Sequence, residues 1–481
     1  MPELDRRHRL LVLVICCSSL FVVSLDATIV NLALPSIQAD LSASVTSLQW
    51  TIDAYTLTLA SLLMLAGSTA DRVGRKRVFR IGLVLFGLGS LLCSIAPTAG
   101  ALVGFRIVQA LGGAMLNPVA MSIIVNVFTD PRERARAIGV WGSVVGLSMA
   151  LGPLVGGALV DLVGWRSVFW VNVPVVAVAV VLATRFVPES RAPRPRRLDP
   201  LGQLLIAVLL GGATFAIIEG PVQGWTSPWV LGCAVAAVAA LAALLPWERR
   251  LPEPLLDPRF FRSAPFAGAA VIAVCAFAAL AGFLFVNSLY LQTARGYSPL
   301  HAGLLTLPMA AMAAALPTVS GRLVATRGAR IPLLVGGLGI TLSGVLLLGL
   351  RTDSPLWLPI TAYLLFGIGF GMINAPITNT AVSGMPAAQA GVASAVASTS
   401  RQVGTALGVA VIGSAVTASV VGPLPTGLAA ATHVGWAVQI GCGLAVLVLG
   451  LVTTTAWARR TATRTAELFA APGAPSPAGV R

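Results

Sequence analysis

An all-α integral membrane protein, built as two six-helix bundles with two further helices inserted between them, is what this sequence predicts. Three observations lead there. Of the 481 residues, 57% are hydrophobic and only 10% are charged, whereas a soluble chain carries about 25% charged residues. The apolar residues fall into fourteen runs, each long enough to cross a hydrocarbon core of about 30 Å as a helix. The Lys and Arg residues, whose excess gives a net charge of +15, gather in alternate loops between the runs.

In chain order the spans are expected at 10–34, 48–70, 80–96, 99–121, 137–160, 167–186, 201–219, 228–246, 266–290, 301–321, 331–350, 355–375, 401–421 and 433–457. The third run and the Gly-rich thirteenth stand out least by hydropathy. The first, about 25 residues long, is too long for a signal-peptide core of about 7 to 15 and is expected to remain as a span. With both termini in the cytoplasm, 28 of the 32 basic residues occupy cytoplasmic segments, three occupy outer ones, and Arg106 lies inside span 4. One span more or fewer would reverse that bias for every loop downstream. The basic charge therefore reads as a topology signal of a multi-pass cell-membrane protein, and no nucleic-acid partner is expected.

No loop exceeds about 25 residues, too few for a soluble catalytic or nucleotide-hydrolysing domain. The phosphate-cradling G-x-x-x-x-G-K-[ST] pattern is absent; Gly74-Arg75-Lys76 comes nearest. Uphill transport by such a chain would have to draw on an ion gradient. Cys16, Cys17, Cys93, Cys233, Cys275 and Cys442 all sit in apolar runs without C-x-x-C spacing or a nearby His, so no disulfide, metal or cofactor is expected. No metal cluster or catalytic pairing at recognisable spacing points to an enzyme.

The loop after span 2 runs Gly67 to Asp71-Arg72-Val-Gly74-Arg75-Lys76, and the loop after span 10 runs Gly321 to Ala325-Thr-Arg327-Gly328. Glycines seven apart with a basic cluster recur, so spans 1–6 and 9–14 read as two copies of one unit. The implied domains are 1–190, an insert at 191–262, and 263–460, with 461–481 as a disordered tail, Pro/Ala/Gly-rich from Ala470. Parallel repeats of this kind place a substrate cavity between the halves, near the midplane.

An ionisable side chain in the bilayer costs at least about 2.5 to 3.5 kcal/mol, so it persists where it works or pairs. Asp26, Asp53 and Arg106 fall well inside spans 1, 2 and 4, roughly 8 to 12 Å in from the outer helix ends at 1.5 Å per residue. An aspartate held between desolvation and a nearby cation can exchange a proton for cargo. The alternative is that Asp26 and Arg106 neutralise each other and brace spans 1 and 4. Glu219 and Asp161 lie at outer span ends and read as solvated. Span 5 carries Ser148-x-x-x-Gly152-Pro153-x-x-Gly156-Gly157; such small residues allow close helix contact and a bend, suited to repacking or to tight static packing alike.

These motifs resemble the major facilitator superfamily, and within it the fourteen-span drug:proton antiporters of the EmrB/QacA type. The resemblance covers nearly the whole chain. Leu25 to Pro35 is similar to the family's span 1 signature, Trp50 to Leu57 to its span 2 signature, and Arg106 to Gly113 to the span 4 motif tied to proton handling. Gly67, Asp71, Arg72, Gly74, Arg75 and Lys76 resemble the cytoplasmic motif that latches the halves in one state. Gly152, Pro153, Gly156 and Gly157 resemble the antiporter motif. Trp165 to Pro174, Tyr290 to Gly303 and Gly391 to Gly404 hold further matches. Ala110 and Ser148 replace family glycines, and Ala325 stands in the second copy where Asp71 stands in the first.

The resemblance implies the major facilitator fold and proton-coupled export of a lipophilic, cationic or amphipathic drug by a monomer in the lipid bilayer. Asp26 would be the main proton- and cation-responsive carboxylate and Asp53 a second acidic contact, with Arg106 tuning Asp26. A dedicated exporter of an endogenous metabolite, lipid or siderophore, or a non-transporting receptor, fits the same sequence.

Overall fold

The computed structural model describes residues 5–192, 199–251, 257–382 and 390–469. Fourteen helices among them are long and apolar enough to cross a membrane, and each coincides with an expected span, so helix and span numbers agree. They are α1 Arg6–Leu41, α2 Val45–Val73, α3 Arg75–Ser94, α4 Ala99–Val127, α5 Pro131–Leu162, α6 Ser167–Trp170 continued by Asn172–Phe186, and α7 Pro200–Gln223. Then follow α8 Pro228–Arg250, α9 Ala264–Leu289, α10 Pro299–Arg327, α11 Arg330–Leu347, α12 Trp357–Val382, α13 Ala390–Ser419 and α14 Leu424–Thr453. A π-helical turn, Tyr290–Ala294, extends α9. No strand occurs among the described residues.

Helix starts follow local chemistry. Ser44, Thr98, Asp130 and Ser298 accept hydrogen bonds from backbone N–H groups of the first turns of α2, α4, α5 and α10, satisfying donors that the helix itself leaves open. Gly74 and Gly328 end α2 and α10 with φ of 128° and 79°, a backbone region that glycine enters without steric cost. The two loop copies read from the sequence thus serve one purpose.

The internal repeat extends to packing. A Cβ on Gly112 of α4 would lie 2.3 Å from Phe86 N of α3, and one on Gly369 of α12 would lie 2.8 Å from Ile340 N of α11. Gly152 of α5 abuts Thr28 of α1, as Gly408 of α13 abuts Ala278 of α9. The halves are therefore two six-helix bundles offset by eight helices. The inserted α7 packs on α8, on α2 and on α13, at the junction between the bundles.

One end of the molecule carries most of the basic residues, including the starts of α1 and α3; the opposite end is closed. There Ser288 donates to Asn31 O at 2.6 Å and Gln292 to Leu32 O at 3.0 Å. Pro35, four residues after Asn31, has no N–H to offer that carbonyl, which leaves it available to the other bundle. Gln49 of α2 donates to Val409 O and Ser414 of α13, each at 3.2 Å. Along α5 and α10, Gly157 meets Pro299 and Leu300, Gly303 meets Pro153, and Gly146 lies within 3.5 Å of Ala314, whereas Gly142, Gly139 and Gly321 face open space. The bundles touch from the closed end to mid-height and part toward the basic end.

Two features depart from the sequence reading. Helix α13 begins at Ala390 rather than 401, which places Arg401 well inside the helix instead of at its cytoplasmic end. An additional helix, α15 Ala456–Glu467, takes up the start of the expected tail; residues 470–481 lie outside the described set.

Removing both side-chain bonds of the seal, in Ser288→Ala/Gln292→Ala, deletes about 0.5 to 1.5 kcal/mol per bond. The balance between closed and open forms of this end should move by roughly 5- to 150-fold. Spin labels at the outer ends of α5 and α10, replacing Asp161 and His301 in a cysteine-free background, should report a longer distance population in the double variant.

Candidate functional site

Asp26 and Arg106 are 0% and 1% exposed, and the structure joins them: Arg106 Nη1 lies 2.6 Å from Asp26 Oδ2. Helix α1 brings the carboxylate, α4 the guanidinium. Two more side chains donate to the other carboxylate oxygen, Gln109 at 2.9 Å and Asn172 of α6 at 3.2 Å. Gln109 also donates to Ser90 of α3 at 2.8 Å. Arg106 Nε donates to Thr51 O of α2 at 3.1 Å, and its guanidinium carbon stands 4.0 Å from the centre of the Tyr55 ring, a favourable placement for a cation. Five helices of the first bundle converge on one ion pair. A charge pair away from water is tolerable only with such complete hydrogen bonding.

Asp53 differs. It is 0% exposed, Thr56 reaches its Oδ1 at 3.5 Å, and its buried Oδ2 has no hydrogen-bond partner. It lies one helical turn from Gln49, hence on the face of α2 that meets α13. The three sequence candidates therefore divide into a satisfied pair and a carboxyl with no cation bonded to it. Glu219, expected to be solvated, instead accepts Trp50 Nε1 at 2.9 Å and Gln223 at 2.8 Å.

The antiporter motif has two faces. Cβ atoms on Gly152 and Gly156 would come within 2.2 Å and 2.8 Å of Thr28 and Ile29 of α1, while one on Gly157 would press on Leu300 of α10 at 2.8 Å. Helix α5 is thus wedged between the bundles, and Pro153 touches Gly303 across the divide. Ser148, in place of a glycine, donates to Phe21 O of α1 at 3.3 Å. Beneath the closed end the bundles leave a small cleft of ≈ 20 Å³ whose lining includes Thr28, Met149, Leu284, Asn287, Thr306 and Met309; it is apolar apart from a few polar groups and would have to widen to admit a drug-sized molecule.

In the loop motif, Asp71 accepts from Arg75 at 2.9 Å and its carbonyl from Ala192 N at 3.0 Å. Glu189, in the segment after α6, accepts from Lys76 N at 3.1 Å, and a Cβ on Gly74 would sit 2.7 Å from that carboxylate. Gly67 rests on Pro118. Sequence reading missed Glu189, and no local signal marks it: its role depends on the 189 segment folding back against α2 and α3. It also missed Asn172 as a partner of Asp26, although the residue stands in a recognised motif.

The family model described as Major Facilitator Superfamily matches residues 16–409. The multidrug resistance protein Stp of Mycobacterium tuberculosis is 38% identical over 412 residues, 86% of this chain and 76% of that protein. The methylenomycin A resistance protein of Streptomyces coelicolor is 38% identical over 393 residues, covering 81% and 82%. The puromycin resistance protein pur8 of Streptomyces alboniger is 36% identical over 452 residues, covering 92% and 89%. Among solved structures, a POT family transporter superposes with a TM-score of 0.68 at 16% identity over 94% of this chain and 98% of that one. The nucleoside transporter NupG gives 0.65 at 13% over 92% and 100%.

Replacing Arg106 by Gln leaves Asp26 buried without its cation and should lower stability by about 3 to 5 kcal/mol. The double variant Asp26→Asn/Arg106→Gln should recover more than half of that loss in denaturant unfolding. Strictly additive losses would show that the two charges are not coupled.

Proposed function

The chain belongs to the major facilitator superfamily, and from that premise we propose that it exports amphipathic drugs or antibiotics across the cell membrane in exchange for protons. Its relatives named for multidrug, methylenomycin and puromycin resistance support the export reading. The concentration of Lys and Arg at one end supports placing that end, with both termini, in the cytoplasm. In this conformation the gap between the bundles then opens inward, while the seal of Asn31, Leu32, Ser288 and Gln292 faces outward.

The observation that carries the coupling is the contrast between the two acids. Asp26 already holds a cation and two neutral donors, so protonating it would strand the buried Arg106 guanidinium. Asp53 has a buried oxygen with no partner, and a carboxyl removed from water without a counter-charge keeps its proton. We assign Asp53 as the group that holds the transferable proton and Asp26 as the fixed charge that responds through Arg106. The link is short: Arg106 bonds Thr51 O and stacks on Tyr55, the residues flanking Asp53 on α2. Cationic or strongly dipolar cargo near α2 favours loss of that proton, and loading the proton disfavours the cargo, which is the exclusivity that antiport requires. Gly152, Pro153, Gly156 and Gly157 let α5 slide between α1 and α10 as the halves rock, and the Gly67 to Lys76 loop braces the opposite state.

In inverted vesicles, Asp53→Asn should cut proton-gradient-driven dye transport at least about ten-fold, by analogy with removal of a proton-transfer group, while dye binding persists and loses its pH dependence. Undiminished transport by Asp53→Asn at normal expression would remove Asp53 from the coupling.

A further inference from the structure

Arg401 is a half-buried cation that this mechanism leaves unused. It lies eleven residues from the start and eighteen from the end of α13, about 16 Å and 27 Å at 1.5 Å per residue. Its Nη2 donates to Thr378 of α12 at 2.6 Å, its guanidinium carbon stands 6.0 Å from the centre of the Phe277 ring of α9, and its Nε, shielded from solvent, has no hydrogen-bond partner. Unlike Arg106, it makes no ion pair among the described residues. The sequence explains why: between Ala264 and Thr455 the chain holds a single acidic residue, Asp353, and that one sits in the loop between α11 and α12 beside Arg351. The second bundle has no acid of its own to neutralise Arg401.

Its position relative to the cleft is set by α9. Leu284 and Leu291 line the cleft, and Phe277 precedes Leu284 by the same seven residues, so all three share one face of the helix. Arg401, over Phe277, is therefore two turns below the cleft, toward the end where the bundles part. An arginine left in the membrane without an internal acid is retained where something else brings the negative charge.

We propose that Arg401 is an anion subsite on the access path to the cleft, taking the carboxylate, sulfonate or enolate of an otherwise apolar substrate. The planar guanidinium offers such a group two parallel N–H donors, and Phe277 offers a flat apolar surface for the adjoining ring. With the ionisable Asp53 on α2 and the cationic Arg401 on α13, the two bundles carry groups of opposite type, which suits anionic and zwitterionic cargo as well as cations. This deepens the export reading by naming a substrate class, and rests on it.

The test is calorimetric titration of the purified full-length protein in detergent with coumarin-3-carboxylate and with its uncharged ethyl ester. The wild type should bind the acid more tightly than the ester. Arg401→Gln should lower the ester-to-acid ratio of dissociation constants at least about ten-fold, and Arg401→Lys, which keeps the charge but not the fork, should fall between. Equal binding of acid and ester by the wild type, or a ratio that both variants leave unchanged, would overturn the proposal. Because binding is read without a gradient, failure of every dye to be moved in vesicles would remove the export reading and leave the anion preference standing.

Discussion

The ion pair between Asp26 and Arg106 is the constraint around which the first bundle is arranged. A carboxylate and a guanidinium taken out of water must recover through hydrogen bonds what they lose in hydration, and here α1, α2, α3, α4 and α6 each supply a group. The close approach of α3 to α4 follows from the same need. Only a glycine-lined contact, with Gly89 against the backbone of Gln109, brings Ser90 within reach of the Gln109 amide. A side chain at Gly89 would push apart the two helices that position the network.

That network lies wholly inside one bundle, and this separates what is rigid from what can move. Among the described residues, no ion pair joins the two halves. The seal consists of a few neutral hydrogen bonds, two of them to carbonyls of α1 near Pro35, and of small residues along α5 and α10 that slide without interlocking. Breaking contacts worth about 1 kcal/mol each lies within what a bound drug or a proton can supply, whereas separating Asp26 from Arg106 does not. The inserted α7, through the bond of Glu219 to Trp50, flanks α2 where the halves meet and leaves the cleft to the two six-helix bundles.

Span number, order and the twofold repeat were legible because a bilayer demands long apolar runs and because Lys and Arg are retained on one side. Span limits were less so. Helix α1 runs from Arg6 to Leu41 against an expected 10–34, since helices continue past the hydrocarbon where hydropathy no longer marks them. The sharpest miss was the start of α13: its Ala- and Ser-rich first turns carry little apolar bulk for hydropathy to mark, and the helix is set against α9 by close packing of Gly404 and Gly408 on Val274 and Ala278 further along. Arg401 in consequence stood at the expected cytoplasmic end of the span and not within it. Asp26, Asp53 and Arg106 stood out as charges in apolar runs and Arg106 was matched with Asp26, but the face on which Asp53 would lie depended on helix rotation, and the contribution of Glu189 to the loop motif depended on a chain reversal after α6. Neither leaves a periodic trace in one sequence.

The division of labour between the two acids is the core of the coupling scheme, and infrared difference spectroscopy of substrate binding addresses it directly. A protonated carboxyl absorbs apart from a carboxylate, so loss of a proton on adding cargo appears as a negative band. The scheme predicts that this band is present in the wild type and in Asp26→Asn but missing from Asp53→Asn. A band that vanishes with Asp26→Asn and survives Asp53→Asn would contradict it, placing the exchangeable proton on the residue that the geometry assigns to a fixed ion pair.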